Sequence, residues 1–512
     1  MGVGMASSTA ASAGSMRQDT KKPQATVTTT SHVPATEMYA DEATNDLDSS
    51  SSRSQSLVHE EKSKGLLRKI DLRLCTIAGI LCSLNLLDSG IISSAAVTSM
   101  PADLQLTGDR FSVSIFIFTV SSICAQLPAT ILMRFIGPPI FFSCTTVLFG
   151  VITLCTAFIH SWRSMIALRV LLGISMSGIY PGLTYLISAW YERKEQQLRF
   201  AFLQSGEVII LATGSIVNFA INQNLDGKSG LAGWRWMYIV QGSITMLIGL
   251  VTYLWIPHFP EKAHRTSAFL TQEEISTVLE RIDRDRSDAG KPEPFTAQAI
   301  LTPFLDLKLY ALAVLFFLLN LVSTALSYFL PIILQSGMGF STNKAILLSA
   351  PPYYYAVLPV LVSSLVGDRF RIRGPVIIFN AICLIIGFCM LGFEGQVTVR
   401  YIGTFLATGA YVSNWAALSA YTANNVRGQW KRATVSASVS ACNGLGGIAG
   451  SYIVRAPEAP QYLTAIWVSI GSHILMIVIV LVCTFAFWTA NRRARGKGKI
   501  LIEGVEGFRY TY

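Results

Sequence analysis

The chain has 512 residues, of which 51% are hydrophobic and only 14% charged. Soluble domains carry about 25% charged residues, so a soluble particle of this composition would lack the polar groups to cover itself. The 40 Lys and Arg outnumber the 30 Asp and Glu, for a net charge of +10. That excess sits in short clusters between apolar runs, where the bias of a bilayer's two sides accounts for it without a nucleic-acid partner.

Residues 1–65 are rich in Ser, Thr, Ala and charge and show no apolar periodicity; they read as a disordered cytoplasmic tail. Apolar runs of about 20 residues, each long enough to cross a bilayer, then follow one another. Twelve spans are predicted, at 72–93, 110–133, 139–160, 164–188, 199–222, 235–256, 308–332, 344–366, 375–394, 400–421, 433–454 and 462–488. The fold class is therefore an all-α membrane protein with 12 transmembrane helices. Residues 66–256 form an N-terminal six-helix bundle, 257–307 a cytoplasmic connector, 308–490 a C-terminal six-helix bundle, and 491–512 a second cytoplasmic tail. In the connector, "LTQEEISTVLERIDRDR" reads as a short amphipathic helix with Leu270, Ile275, Val278, Leu279 and Ile282 on one side. Thr271 and Glu274 have the spacing of a capping box at its start.

Nine cysteines fall nearly all within apolar runs, with no CxxC pair and no Cys/His cluster. They read as small hydrophobes, and neither metal nor cofactor is expected. No Ser/His/Asp or His-cluster motif stands in the connectors, and no Walker motif occurs, so neither an enzyme nor an ATP-driven pump is indicated. Lys and Arg concentrate on the side that holds both termini, around 62–73, 193–199, 369–373, 427–432 and 492–495. The positive-inside rule makes that side cytoplasmic.

The two halves resemble each other. "RFIGPPIFF" (134–142) follows the second span, and "RIRGPVIIF" (371–379) follows the eighth. Arg169, Gly178 and Tyr180 in the fourth span recur as Arg400, Gly409 and Tyr411 in the tenth. Duplicated six-span halves around a connector describe a transporter with its site between two pseudo-symmetric bundles near the membrane midplane.

Ionisable groups at membrane depth are candidate functional groups. Three stand out: Asp88, Arg169 and Glu207. Arg169 interrupts the apolar run "ALRVLLGISMSGIYPGLTYLISAW" (167–190). It either pairs with a carboxylate, snorkels to the outer boundary or pins two helices. An acid alternating between a protonated and an Arg-paired state would couple proton flow to anion binding, because a substrate that competes for the Arg promotes protonation of the acid. Asp88 and Glu207 are the candidate proton carriers, and Arg169 is the candidate anion anchor. Tyr180, Asn320, Asn414 and Trp415 are candidate pocket residues. The run "PPYYYAVLP" (351–359) suits an aromatic cavity wall or an interfacial belt, and the small residues of "CNGLGGIAGS" (442–451) suit close helix packing.

These motifs resemble the major facilitator superfamily, and more narrowly the fungal anion:cation symporters of the allantoate, nicotinate and pantothenate permease group. "LRVLLGISMSGIYPGLTYLISAWYERKEQQLRFAFL" (168–203) is similar to that group's span 4–5 signature, with Arg169 and Gly173 as its RxxxG. "NNVRGQWKRATVSASVSACNGLGGIAGSYIV" (424–454) is similar to its span 10–11 segment. "GDRFRIRG" (367–374) resembles the second-half copy of the cytoplasmic gate motif, which implies gating roles for Asp368, Arg369 and Arg373. The first-half copy, "LPATILMRFIGPP", keeps Arg134 and lacks the Asp. The first span also departs from the group. It reads "DSGIISS", with Asp88 retained, Ser89 in place of an Arg and Ile91 in place of an Asn. Met176 stands where many relatives carry a Glu, and Glu207 is a candidate replacement acid. The resemblance implies proton-coupled uptake of a small organic anion by alternating access, in a monomer of the plasma membrane. The alternative is an exporter of a carboxylated secondary metabolite on the same fold.

Overall fold

The computed structural model describes residues 65–260, 270–287, 302–370, 372–426, 429–496, 502 and 509–512. The serine-rich N-terminal segment lies outside the described residues. Six long helices come first: α1 (Gly65–Ala95), α2 (Arg110–Ile136), α3 (Pro138–Thr156), α4 (Trp162–Trp190), α5 (Arg193–Leu225) and α6 (Gly233–Trp255). The connector supplies α7 (Gln272–Ser287). Six more follow: α8 (Leu307–Gly337), α9 (Thr342–Gly367), α10 (Gly374–Phe393), α11 (Val397–Asn425), α12 (Gln429–Gly450) and α13 (Leu463–Gly496). Among the described residues, ten helices are long and apolar enough to cross a membrane. The long helices α11 and α12 fall short of that composition. They pack as members of the second bundle, α11 against α9 and α10 and α12 against α8.

The breaks between helices have local causes. Gly137 closes α2 with φ 93°, a conformation that L side chains rarely adopt, and Pro138 opens α3 at the position where its missing N–H is not needed. The fourth span, expected as one helix, is interrupted. Helical segments Trp162–Met176 and Ile179–Trp190 meet at Ser177–Gly178, where a Cβ on Gly178 would lie 2.5 Å from the Phe141 ring. Only glycine lets the kinked chain pass that ring.

Small residues draw α3 and α6 together. A Cβ on Gly150 would meet the Met246 backbone nitrogen at 2.7 Å, and one on Gly242 would meet the Leu154 nitrogen at 2.7 Å. In lipid no hydrophobic force holds such helices together, so close backbone approach supplies the attraction.

Helix α7 is capped as its sequence predicts. The Thr271 N–H donates to Glu274 Oε2 (2.9 Å), and the Glu274 N–H donates to Thr271 Oγ1 (3.3 Å). Its apolar side is buried at Leu270, Ile275, Val278 and Ile282. Charged clasps fix it to the first bundle: Lys69 Nζ to Glu274 Oε1 (2.6 Å) and Arg281 to Glu192 (3.2 Å) and Glu195 (2.8 Å). The start of α1 is tied to the end of α6 by Arg73, which donates to the carbonyls of Trp255 (2.7 Å) and Leu254 (2.8 Å). The membrane side that carries α7 is the connector face; the opposite side is the far face.

Two outcomes follow. Gly242→Val would push backbone against backbone at the α3–α6 contact, an overpacking cost of about 1–3 kcal/mol or more, and a lower thermal midpoint in detergent checks it. The second concerns pH. The Lys69 ammonium, helped by the Thr271 N–H, holds the Glu274 carboxyl below the usual glutamate range. A lowered folded value means that the clasp contributes stability above the ordinary glutamate range and loses it as pH falls through the folded value. The fall in thermal midpoint between about pH 7 and pH 4 is therefore expected to be smaller in Glu274→Gln than in the parent.

Candidate functional site

Arg169 does not snorkel. It is buried, at 3% exposure, and its Nη1 donates to Asp88 Oδ2 at 2.6 Å across the α1–α4 interface. Asp88 is equally buried, at 1%. The Phe118 ring of α2 lies 5.9 Å from the guanidinium carbon, a cation–π contact. Tyr238 of α6 and Tyr328 of α8 lie within electrostatic reach of the guanidinium, so the second bundle takes part in its surroundings. The space beside the pair, lined by Asp88, Thr156, Met165, Leu168, Arg169, Leu172 and Tyr238, is too narrow for a water molecule.

The pair is joined through one nitrogen and one oxygen. Asp88 Oδ1 and the Tyr238 hydroxyl are buried without a hydrogen-bond partner. A guanidinium carries five donors in a fork that suits a carboxylate bidentately, and Asp88 engages one edge of it. Arg169 lies seven residues into α4, and Asp88 lies seven residues before the end of α1. At about 1.5 Å per residue the pair sits about 10 Å below the far-face helix ends, shallower than the midplane that the repeat pattern suggests.

The other acid stands apart from this pair. Glu207 is half-buried on α5, against the Cys82 thiol of α1 and within electrostatic reach of Tyr180 on α4. Tyr180 is 61% exposed. In the second bundle, Asn320 donates to the Asn443 carbonyl of α12 (2.8 Å), and Asn414 is fully buried with its amide 3.7 Å from Met476 Sδ. Trp415 packs edge-on against Phe316, with ring centroids 5.6 Å apart. These three find their partners within the second bundle rather than at the ion pair.

The gate-motif residues are placed as follows. Arg134 lies over the Tyr185 ring at 4.3 Å, and Arg369 is exposed. Arg373 is buried against Gly367, where a Cβ would come within 2.7 Å of its Nη1. The side chain of Asp368 lies outside the described residues.

Sequence reasoning missed Tyr238 and Tyr328, since an aromatic residue inside a span carries no signal that separates a wall of the site from ordinary packing. It also missed what the repeated Arg does. Arg400, the counterpart of Arg169, donates to the carbonyls of Leu391 (2.9 Å) and Gly337 (2.6 Å) instead of to a carboxylate.

From the middle of the membrane outwards the two bundles are bonded to each other at the far face. Gln335 Nε2 and Thr342 Oγ1 both donate to the Val97 carbonyl (3.1 Å each), Asn222 donates to Asn343 (2.7 Å), and Thr213 bonds Tyr354 (2.8 Å). Phe111 packs edge-on against Phe329. Outside this seal a polar vestibule of about 580 Å³ is lined by Ser99, Asn222, Asp226, Gln335, Ser341 and Asn343 among others.

Two six-helix bundles sealed at one face, with an ion pair buried at membrane depth, define a multi-pass membrane transporter. Residues 78–451 match the Major Facilitator Superfamily, and the chain belongs to that family, whose members are transporters and not enzymes. It is 28% identical to the high-affinity nicotinic acid transporter of Saccharomyces cerevisiae, over 86% of this chain and 80% of that one. It is 27% identical to the MFS-type transporter cnsO of Penicillium expansum, over 86% of each chain. Among solved structures it shares the fold of the xylose transporter XylE from E. coli in a partially occluded inward-open conformation. There the TM-score is 0.62 at 14% identity, covering 81% of this chain and 98% of that one.

The pair itself makes a stability prediction. Removing one partner leaves an uncompensated buried charge, at a cost of about 3–5 kcal/mol, whereas replacing both with apolar residues is often neutral. Arg169→Met alone is expected to lower the thermal midpoint of the purified protein, and adding Asp88→Leu is expected to restore most of the loss. A double variant no more stable than the single one would show that the two charges do not depend on each other.

Proposed function

We propose that the chain is a proton-coupled importer of a small organic anion, working by alternating access between the bundles 66–256 and 308–490. The observation that carries this reading is the singly bonded Asp88–Arg169 pair. A carboxylate on the substrate would compete for the guanidinium fork. Asp88, deprived of its partner in a site that excludes water, would then take up a proton. Release of the anion and the proton on the other side would restore the pair. The nicotinic acid transporter among its relatives supports a carboxylate substrate. In this reading Glu207, beside Cys82 and Tyr180, relays the proton. Tyr180, Asn320, Asn414 and Trp415 shape the pocket. Asp368, Arg369, Arg373 and Arg134 set the helix ends at the gate. The connector face is cytoplasmic, both termini with it, and the membrane is the plasma membrane. With this orientation, the far-face seal would close the outer side.

The test is uptake of a labelled panel of nicotinate, pantothenate, allantoate, biotin and short monocarboxylates in a permease-deleted yeast. It is run at acid and neutral external pH, with and without a protonophore. Accumulation of one anion, stimulated by acid and abolished by the protonophore, is the expected result. Asp88→Asn should then lose uphill accumulation while keeping exchange. Arg169→Lys should raise the KM markedly, since lysine has no bidentate fork. Uphill accumulation by Asp88→Asn would remove Asp88 as the proton carrier. An absence of uptake at normal surface expression would favour the exporter.

A further inference from the structure

The segment Arg509–Tyr512, part of the expected cytoplasmic tail 491–512, is bound to the connector face of the second bundle. Two buried asparagines hold it, each pairing with the backbone of one residue as a neighbouring strand would. Asn491 of α13 donates to the Tyr510 carbonyl (2.9 Å) and accepts from the Tyr510 N–H (3.0 Å). Asn425 at the end of α11 donates to the Thr511 carbonyl (3.1 Å) and accepts from the Thr511 N–H (2.8 Å). An amide side chain has one acceptor and one donor group at the spacing this requires. The asparagines are 3% and 0% exposed, so their amides belong to the bundle and not to solvent.

Side chains and one further backbone bond complete the grip. The Tyr510 ring stacks on Phe487 of α13, with centroids 4.4 Å apart and planes at 19°. A further neighbour is Lys308, at the start of α8, whose ammonium lies 4.7 Å from the ring and 3.4 Å from the hydroxyl while donating to the Asn425 carbonyl (2.9 Å). The Tyr512 hydroxyl accepts from Asn491 (2.9 Å). The Tyr512 carbonyl accepts the backbone N–H of Arg373 (2.7 Å), and its carbonyl carbon lies 3.2 Å from where a Cβ on Gly374 would stand. Arg373 and Gly374 form the turn between α9 and α10 and the N-cap of α10. The N–H groups that open a helix need outside acceptors on their N-terminal side, and here the residue at that cap is anchored by the segment's last carbonyl.

We propose that Arg509–Tyr512 is an intramolecular strap, and that the groove of Lys308, Asn425, Phe487 and Asn491 is its receptor. The strap joins four elements of one bundle and fixes Arg373 at the N-cap of α10, just beyond the last helical turn that carries Arg369. The corresponding turn of the first bundle, at Gly137, is packed instead against His258, whose ring lies 3.2 Å from where a Cβ would stand. The two bundles therefore secure equivalent turns by different means. Releasing the strap would loosen the gate turn of the second bundle alone.

The test is hydrogen–deuterium exchange of the purified full-length protein, and it needs no substrate, so its outcome is independent of the transport reading. In the parent, the segment 509–512 is expected to be protected. Tyr510→Ala combined with Thr511→Pro, which removes the stack and the N–H that Asn425 accepts, leaves the bundle's own residues intact. It should bring 509–512 to free-chain exchange. It should also speed exchange at 372–377 at least about tenfold, with 137–142 unchanged. Asn491→Ala, which alters the receptor instead, should give the same pattern. Free-chain exchange of 509–512 in the parent would overturn the strap. Unchanged exchange at 372–377 after release, or equal loosening of every helix in the second bundle, would overturn its role in fixing the turn.

Discussion

A guanidinium in lipid must find its counter-charge inside the protein, since the bilayer offers neither water nor ions. Arg169 meets that requirement with Asp88, 81 residues away in the chain and 2.6 Å away in space. Much of the first bundle follows from this bond. It links α4, which packs mainly on α2 and α3, to α1, which packs mainly on α5, with Phe118 over the guanidinium and the surrounding space closed to water. Arg400, at the same place in the repeat, meets the same requirement with two backbone carbonyls. Carbonyls do not change charge when a proton arrives, whereas a carboxylate does. The pseudo-symmetric halves therefore differ in kind: one holds a titratable pair and the other a fixed anchor.

Several polar residues of the second bundle donate to backbone carbonyls within or between its helices, while Thr408 Oγ1 and Asn414 Oδ1 are buried without a hydrogen-bond partner. α11 and α12 are too polar to stand out as spans by composition. Thr404, Thr408, Ser413 and Asn414 of α11 are nevertheless fully buried, with Thr404 and Ser413 bonding back to carbonyls one turn earlier. Asn320 secures α8 to α12 through the Asn443 carbonyl. Gly446 and Gly450 of α12 lie so near the Phe317 and Leu321 carbonyls that no side chain would fit. Polar residues and glycines serve the same end here, which is helix contact in a medium without a hydrophobic effect between helices.

What the sequence makes legible is what depends on period and length. The apolar runs locate each helix, although α1 begins at Gly65 rather than 72 and α13 runs on to Gly496 rather than 488, and Thr271 with Glu274 announces the start of α7. Arg169 is conspicuous because one charge in such a run is costly. Its partner is less so: the pattern nominates Asp88 and Glu207 alike, and nothing in period or composition says which carboxylate a folded chain brings near. The kink at Ser177–Gly178 depends on the Phe141 ring of another helix. The docking of Tyr510 depends on two asparagines from two helices. The run of arginines, lysines and glycines at 492–499 describes a cytoplasmic tail, and nothing in it announces that Tyr510 and Tyr512 dock. Those tyrosines become informative only once the receptor groove exists.

The strengths of these interactions separate gating from coupling in the proposed cycle. The far-face seal is made of neutral hydrogen bonds between amides, hydroxyls and one carbonyl. Each such bond contributes about 0.5–1.5 kcal/mol net, and the apolar contact of Phe111 with Phe329 adds to them; ligand binding shifts such an equilibrium by its differential affinity for the two states. The ion pair is different. Both of its partners belong to the first bundle, on α1 and α4, so rocking one bundle against the other does not pull it apart. Separating the charges without replacement costs about 3–5 kcal/mol, which leaves a competing anion together with a proton as the means of opening it. The bundles can thus move without pulling the pair apart, although movement would shift Tyr328 of the second bundle relative to it. In the proposed cycle such a carrier would change its protonation state when cargo is bound, and its orientation through contacts that carry no charge.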